Sequence, residues 1–178
     1  MAFLEGDAVE LVPLDPEEPA HVDAFRRSRD DPAMRATGYY GQCLTPGAAR
    51  ERVEARQRRD DPGALCAIRA EGDAVGWAAV ELTDDRARVA ELAYYVLTAF
   101  QGRGYASEAA ALLVGYALDE LNAHSVVAKV QAGNDASERV LEKLGFQQVG
   151  RQRDNIYKGG AYHDVTVWDV LDVEFERP

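Results

Sequence analysis

Lysine is almost missing from this chain. Only three of its 20 basic residues are lysines (Lys129, Lys143 and Lys158), and the basic residues are outnumbered by 31 acidic ones. The formal charge of −11 repels nucleic-acid phosphates and anionic lipid surfaces, which disfavours a nucleic-acid partner. Scarce lysine with abundant aspartate fits a source with high genomic GC content or a salty cytoplasm, and composition does not choose between them. Cysteine is as scarce: Cys43 and Cys66 show no metal-ligand spacing and are too few for a disulfide framework, so a reducing cytoplasm is expected. No apolar run approaches the roughly 18 residues of a membrane span. The first residues carry acids (Glu5, Asp7) where a secretory leader carries positive charge. The expectation is a soluble, cytoplasmic protein with no membrane partner and no metal.

What is present is enough chain for one domain over residues 1–178, with a sizeable core and no repeat or low-complexity linker. The first 63 residues are rich in charge, Pro and Gly. Val9 to Leu14 reads as a strand, and Glu17 to Arg29 and Pro46 to Arg59 read as helices bounded by prolines and aspartates. From Ala64 the pattern turns to strands at Leu65 to Ala70, Ala74 to Leu82 and Arg88 to Leu97, whose short connections predict an antiparallel meander. Tyr105 to Leu121 sets Ala109, Leu112, Leu113, Tyr116, Ala117 and Leu121 at helical spacing, so one face of a helix is buried. The apolar strand Ser125 to Gln131 follows, and strand, helix, strand makes a crossover with its two strands parallel. A second helix is expected over Ala136 to Leu144, with Asp135 and Glu138 as a capping box and Gly145 as a left-handed cap. Phe146 to Arg153 and Ala161 to Leu171 complete the sheet as a terminal hairpin across Lys158-Gly-Gly160. The fold class is α/β (α+β): a mixed, mostly antiparallel sheet of six to seven strands flanked by helices.

The segment Glu91-Leu-Ala-Tyr-Tyr-Val-Leu97, Thr98-Ala-Phe100, Gln101-Gly-Arg-Gly-Tyr-Ala106 runs from a strand through a glycine loop into the strongest helix. Free amides in the first helical turn and the positive end of the helix dipole attract phosphate, and Gly102 and Gly104 let it approach closely. A glycine turn that only joins strand to helix is the plain alternative. A dinucleotide fingerprint fits worse, because Ser107 stands where the third glycine or alanine would fall.

Gln101-x-x-Gly104-x-Ala106 resembles the (Gln/Arg)-x-x-Gly-x-(Gly/Ala) pyrophosphate loop of the GNAT superfamily of N-acetyltransferases. About thirty residues later, Asn134-Asp-Ala-Ser137-Glu-Arg-Val-Leu-Glu-Lys-Leu-Gly145-Phe146 is similar to that family's Asn-x-x-Ser helix ending in Leu-Gly-Phe. Two motifs in the right order are far more specific than either alone. The likeness runs from about Ala64 onward. Tyr162-His-Asp-Val165 and the overall length look closest to the RimJ/RimL branch, which acetylates protein N-termini, and to its relatives acting on small amines.

The resemblance implies a sheet whose central strands splay into an acetyl-coenzyme A cleft. Backbone amides of Gln101, Gly102, Arg103, Gly104, Tyr105 and Ala106 would hold the pyrophosphate, with Arg103 adding charge. Leu92 to Leu97, including Tyr94, Tyr95 and Val96, would pair its backbone with the pantetheine amides. Asn134 would contact the pantetheine arm, against the alternative of a turn residue beside a helix cap. Transfer to an amine needs a base, an oxyanion donor and a proton for the departing thiolate. Glu91 is the first candidate base, against a solvated carboxylate at a strand edge. His163 and Asp154 are reserves. The glutamate that some members carry on the next strand is replaced by Lys129, and the tyrosine that many relatives use as proton donor is replaced by Leu141, which leaves Ser137. Ser137 could equally be a helix-surface hydroxyl bonding backbone. Tyr39, Tyr40, Trp77, Tyr94, Arg153 and Tyr157 are candidates to shape an acceptor pocket or to be core. The implied reaction is direct transfer in a ternary complex from acetyl-coenzyme A to a primary amine, on a peptide N-terminus, that of a ribosomal protein included, or on a small molecule. A non-catalytic acetyl-coenzyme A sensor or partner module is the alternative, and a homodimer through the terminal strands is expected.

Overall fold

In the computed structural model, which describes residues 1–37, 42–58 and 62–177, one eight-stranded sheet carries helices on both faces. Its strands are β1 (Leu4–Glu5), β2 (Glu10–Pro13), β3 (Gly63–Ala70), β4 (Asp73–Asp84), β5 (Val89–Val96), β6 (Ser125–Gln131), β7 (Gln147–Lys158) and β8 (Ala161–Leu171). The helices are α1 (Pro19–Asp30), α2 (Pro32–Thr37), α3 (Pro46–Gln57), α4 (Tyr105–Asp119) and α5 (Asp135–Lys143). The spatial order is β1-β2-β3-β4-β5-β6-β8-β7, antiparallel throughout except for the parallel β5–β6 pair that the α4 crossover imposes. The expected meander, crossover and terminal hairpin are all present.

Alternation along the strands feeds two cores. Ala78, Val80, Leu92, Val96, Val126, Ala128 and Val130 face α4, which buries Ala109, Ala110, Leu113, Val114 and Ala117 against them. All but one of those α4 residues are alanine or valine, so the helix backbone lies close to the sheet. The opposite face, through Ala67, Trp77, Ala79 and Tyr95, meets Val22 and Phe25 of α1 and Ala49 and Val53 of α3. Both α1 and α3 begin on a proline, whose fixed φ suits the first helical position and whose missing N–H removes nothing from the helix.

Four details differ from the sequence reading. The sheet has eight strands rather than six to seven, because two-residue β1 is too short to show alternation. The six-residue helix α2 is likewise too short to show a helical period. Strand β7 continues to Lys158 rather than ending near Arg153, its alternation being broken by irregularities between Gln148 and Gly150 and between Gln152 and Ile156. The N-cap of α5 is Asn134, whose Oδ1 accepts from the Ser137 amide at 3.3 Å, so Asp135 lies inside the first turn and forms no capping box. Gly145 does take the left-handed conformation expected of it, with φ of 82°. Among the described residues no helix is long and apolar enough to cross a membrane, and no group of His, Cys, Asp or Glu could hold a metal.

Candidate functional site

Strands β5 and β6 are paired for only three residues: Val89 with Ser125, Ala90 with Val126 and Glu91 with Val127. Beyond Glu91 they diverge, although each keeps its outer partner, β4 to Gly76–Val96 and β8 to Gln131–Val165. The splay exposes backbone groups within the sheet. The Leu97 amide donates to Val75 O on β4, so by strand alternation the amides of Tyr94 and Val96 point into the gap. On the other side the Ala132 amide donates to Asp164 O of the hairpin, which turns the amides of Lys129 and Gln131 the same way.

The gap opens into a cavity of about 620 Å³. Strand β5 lends it Tyr94, Tyr95 and Val96, and the loop that follows lends Phe100, Gln101, Gly102 and Gly104. The first turn of α4 contributes Tyr105, Ala106 and Ser107, and the far wall is Gly133, Asn134 and the Ser137 side of α5. A second, smaller cavity of about 310 Å³ lies among β3, β4 and the N-terminal segment and contains none of the motif residues.

The loop has the conformation that an anion needs. Gly102 and Gly104 have φ of 78° and 88°, in the left-handed region that only glycine enters freely, and Gly104 is the N-cap of α4. The first intrahelical bond runs from the Glu108 amide to Gly104 O at 3.1 Å, so the amides of Tyr105, Ala106 and Ser107 precede the helical ladder and face the cavity mouth. The Gln101 side chain folds back, its Nε2 donating to Val96 O at 2.9 Å, and ties the loop to the end of β5.

Several residues singled out from the sequence stand elsewhere. The Arg103 guanidinium does not line the cavity: it reaches Glu71 at 3.5 Å and lies 5.5 Å from the Phe100 ring centroid. Leu92 and Leu97 are buried on opposite faces of the sheet, so either could serve a ligand only through its backbone. Glu91, at the apex of the splay, holds Lys129 Nζ at 2.9 Å. Trp77 is core, packed against Phe25 and near the Arg29 guanidinium. His163 Nε2 lies 3.2 Å from Lys158 O, Tyr157 packs at a tilt against Tyr162 with centroids 5.0 Å apart on the hairpin, and Asp154, with φ of 51°, gives its amide to Asp164. None of these hairpin residues, nor Arg153, lines the cavity. Tyr39 and Tyr40 lie outside the described residues.

Sequence reasoning missed two cations. Arg139 and Lys143, one turn apart on α5, both line the cavity. With the α4 N-terminus across from them, they set two cations at this mouth beside the single carboxylate of Asp135, in a strongly acidic chain. Their i, i+4 spacing was legible, but without the fold it reads as a solvated helix face.

A splayed parallel pair opening onto a glycine-rich helix N-terminus is the arrangement the two motifs imply. The family described as Acetyltransferase (GNAT) domain matches residues 9–147. The chain belongs to the GNAT acetyltransferase family. Among its relatives is YdaF of Bacillus subtilis strain 168, provisionally named a ribosomal N-acetyltransferase, 31% identical over 68% of this chain and 66% of its own. The chain thus spans just under two thirds of YdaF. A solved structure from T. thermophilus, provisionally titled an acetyltransferase, superposes with a TM-score of 0.77 at 29% identity over 96% of this chain and 89% of that one. A structure titled ribosomal-protein-S5-alanine acetyltransferase, from Vibrio fischeri, shares the fold with a TM-score of 0.82 at 16% identity, over 99% of each chain.

Proposed function

We propose that this GNAT protein transfers the acetyl group of acetyl-coenzyme A to a primary amine, by direct attack within a ternary complex. The observation that carries the reading is the gap between β5 and β6, which opens onto the Gly102–Gly104 loop. Its inward amides at Tyr94 and Val96 match the carbonyls of a pantetheine arm, and the α4 N-terminus matches a pyrophosphate. Arg139 and Lys143 would neutralise the remaining phosphate charge.

Glu91 stands at the closed end of the gap, beyond the point to which a threaded pantetheine arm would bring its thioester. It would take the proton that the attacking amine gives up, directly or through water, while Lys129 fixes the orientation of its carboxylate. Ser137, in the first turn of α5, would offer its hydroxyl to the sulfur. For the acceptor we favour a peptide N-terminus, that of a ribosomal protein first among them, a choice that draws on the name of YdaF. The test is to present acetyl-coenzyme A with a panel of N-terminal peptides and small amines, following thiol release and acetylated product by mass spectrometry. Turnover with a peptide N-terminus supports the full reading, and turnover with small amines alone corrects the acceptor. Coenzyme binding without any thiol release would make the chain an acetyl-coenzyme A binding module instead.

A further inference from the structure

We propose that Tyr94 is the proton donor to the departing coenzyme A sulfur, acting from the strand wall of the cleft opposite α5. This deepens the transferase reading above and rests on it. When the C–S bond of a thioester breaks, negative charge develops on the leaving sulfur, and a donor already in place stabilises it without reorganisation. Among the described residues the cavity lining holds five hydroxyls, on Tyr94, Tyr95, Tyr105, Ser107 and Ser137. Tyr95 turns its hydroxyl away, to Asp31 at 3.4 Å in contact with α1. Tyr105 and Ser107 belong to the phosphate end, in the first turn of α4. Leu141, one turn after Ser137, has no hydroxyl and is fully buried. Tyr94 and Ser137 remain.

Their geometry and chemistry differ. Tyr94 lies three residues beyond the last paired position of β5, roughly 10 Å along the gap, and its ring spans the cleft so that its hydroxyl donates to Ser137 O at 3.3 Å. That long bond to a backbone carbonyl is easily exchanged for a bond to a charged sulfur. A phenol is also a stronger acid than an aliphatic alcohol, which is far too weak to donate its proton. Burial pushes the Tyr94 phenol upward, which keeps it protonated in the resting site. The balance is then complete. The amine nitrogen bonds the acetyl carbon and gives a proton to Glu91 or water. The C–S bond breaks with its electron pair on sulfur, Tyr94 passes its proton to that sulfur, and the proton shed by the amine restores the phenol. Ser137 keeps its separate place as a hydrogen-bond donor to the same sulfur.

The experiment compares wild type, Tyr94→Phe and Ser137→Ala, each checked for an unchanged melting temperature. Phenylalanine keeps the ring and removes only the hydroxyl. For Tyr94→Phe, kcat should fall by about 10²-fold or more, as expected for loss of a general acid, with the KM for acetyl-coenzyme A little changed. The decisive readout needs no acceptor: coenzyme A is bound and its thiol titrated by thiolate ultraviolet absorbance. In Tyr94→Phe the bound thiol should ionise about one pH unit or more higher than in wild type, the size of a lost hydrogen bond to a charged group. Equal titration in both proteins, or an undiminished kcat, overturns the proposal, since a tyrosine that only latches the empty cleft would not touch the sulfur. Wild type that binds coenzyme A yet releases no thiol to any amine overturns the transferase reading itself, a failure distinguishable from that of Tyr94.

Discussion

Replacing Gly104 with alanine separates what the loop does for the protein from what it does for the ligand. A non-glycine residue at φ of 88° is strained by roughly 1–2 kcal/mol. In a chain of this length that lowers the melting temperature by roughly 2–8 °C. Among the described residues nothing stands within 4 Å of the added methyl, so no clash adds to this figure. The coenzyme should feel much more. If the methyl displaces one charge-assisted amide-to-phosphate bond, worth about 1.5–3 kcal/mol, affinity falls roughly ten- to hundredfold. Gly160 supplies a matched control at the β7–β8 turn, with φ of 82° and nothing within 4 Å of its added Cβ. Differential scanning calorimetry and isothermal titration with coenzyme A on Gly104→Ala and Gly160→Ala should show similar losses of stability but an affinity loss in Gly104→Ala alone. Gly104→Ala binding coenzyme A as wild type does would refute the phosphate role of the loop.

Glu91→Gln should lower kcat by about 10²–10⁴-fold, if Glu91 carries the whole base step, and leave coenzyme affinity nearly unchanged; wild-type turnover with an unaltered pH profile would place the base elsewhere. Because Asn134 caps α5, Ser137→Ala should change stability by no more than about 0.5 kcal/mol while lowering kcat more than coenzyme affinity, as steady-state kinetics and a melt on one preparation would show. Arg139→Ala with Lys143→Ala should weaken coenzyme A binding and flatten its dependence on salt, measured by titration at low and high ionic strength. Burial holds His21 below its ordinary pKa, its Nδ1 accepting the Asp15 amide at 3.1 Å. The unfolded chain therefore binds the extra proton first, so this contribution is present above about pH 6.5 and lost as pH falls below it. Denaturant melts across that range should show a shallower decline in His21→Gln, and identical slopes would count against it.

Periodicity made most of this fold readable. Ser125 to Gln131 and the α4 face stood out because each buries apolar residues at a regular period. The cleft loop was readable for a different reason: a tight turn into a helix N-terminus with positive φ needs glycine at fixed places, and Gly102 and Gly104 take that conformation. What escaped depended on long-range placement. Nothing local in the sequence tells that Arg139 and Lys143 face a cavity while Arg103, beside the key glycines, turns out to Glu71. The Glu91–Lys129 pair joins different strands, which only the three-residue β5–β6 register brings together. Tyr94 and Tyr95 are adjacent letters, yet strand alternation sends one hydroxyl to α5 and the other towards α1.

The short β5–β6 register also bears on how the empty protein breathes. The outer ladders hold on each side, but at the centre two half-sheets, β1–β5 and β6–β8, share only three residues of ladder. The amides of Tyr94, Val96, Lys129 and Gln131 have no strand opposite them, so they should exchange with solvent deuterium far sooner than Ala93 or Ala128, which face intact neighbours. A pantetheine arm lying in the gap, as proposed, would act as the missing strand. Binding should then slow exchange at those four amides together and raise the melting temperature with ligand concentration, because only the folded chain can accept that strand.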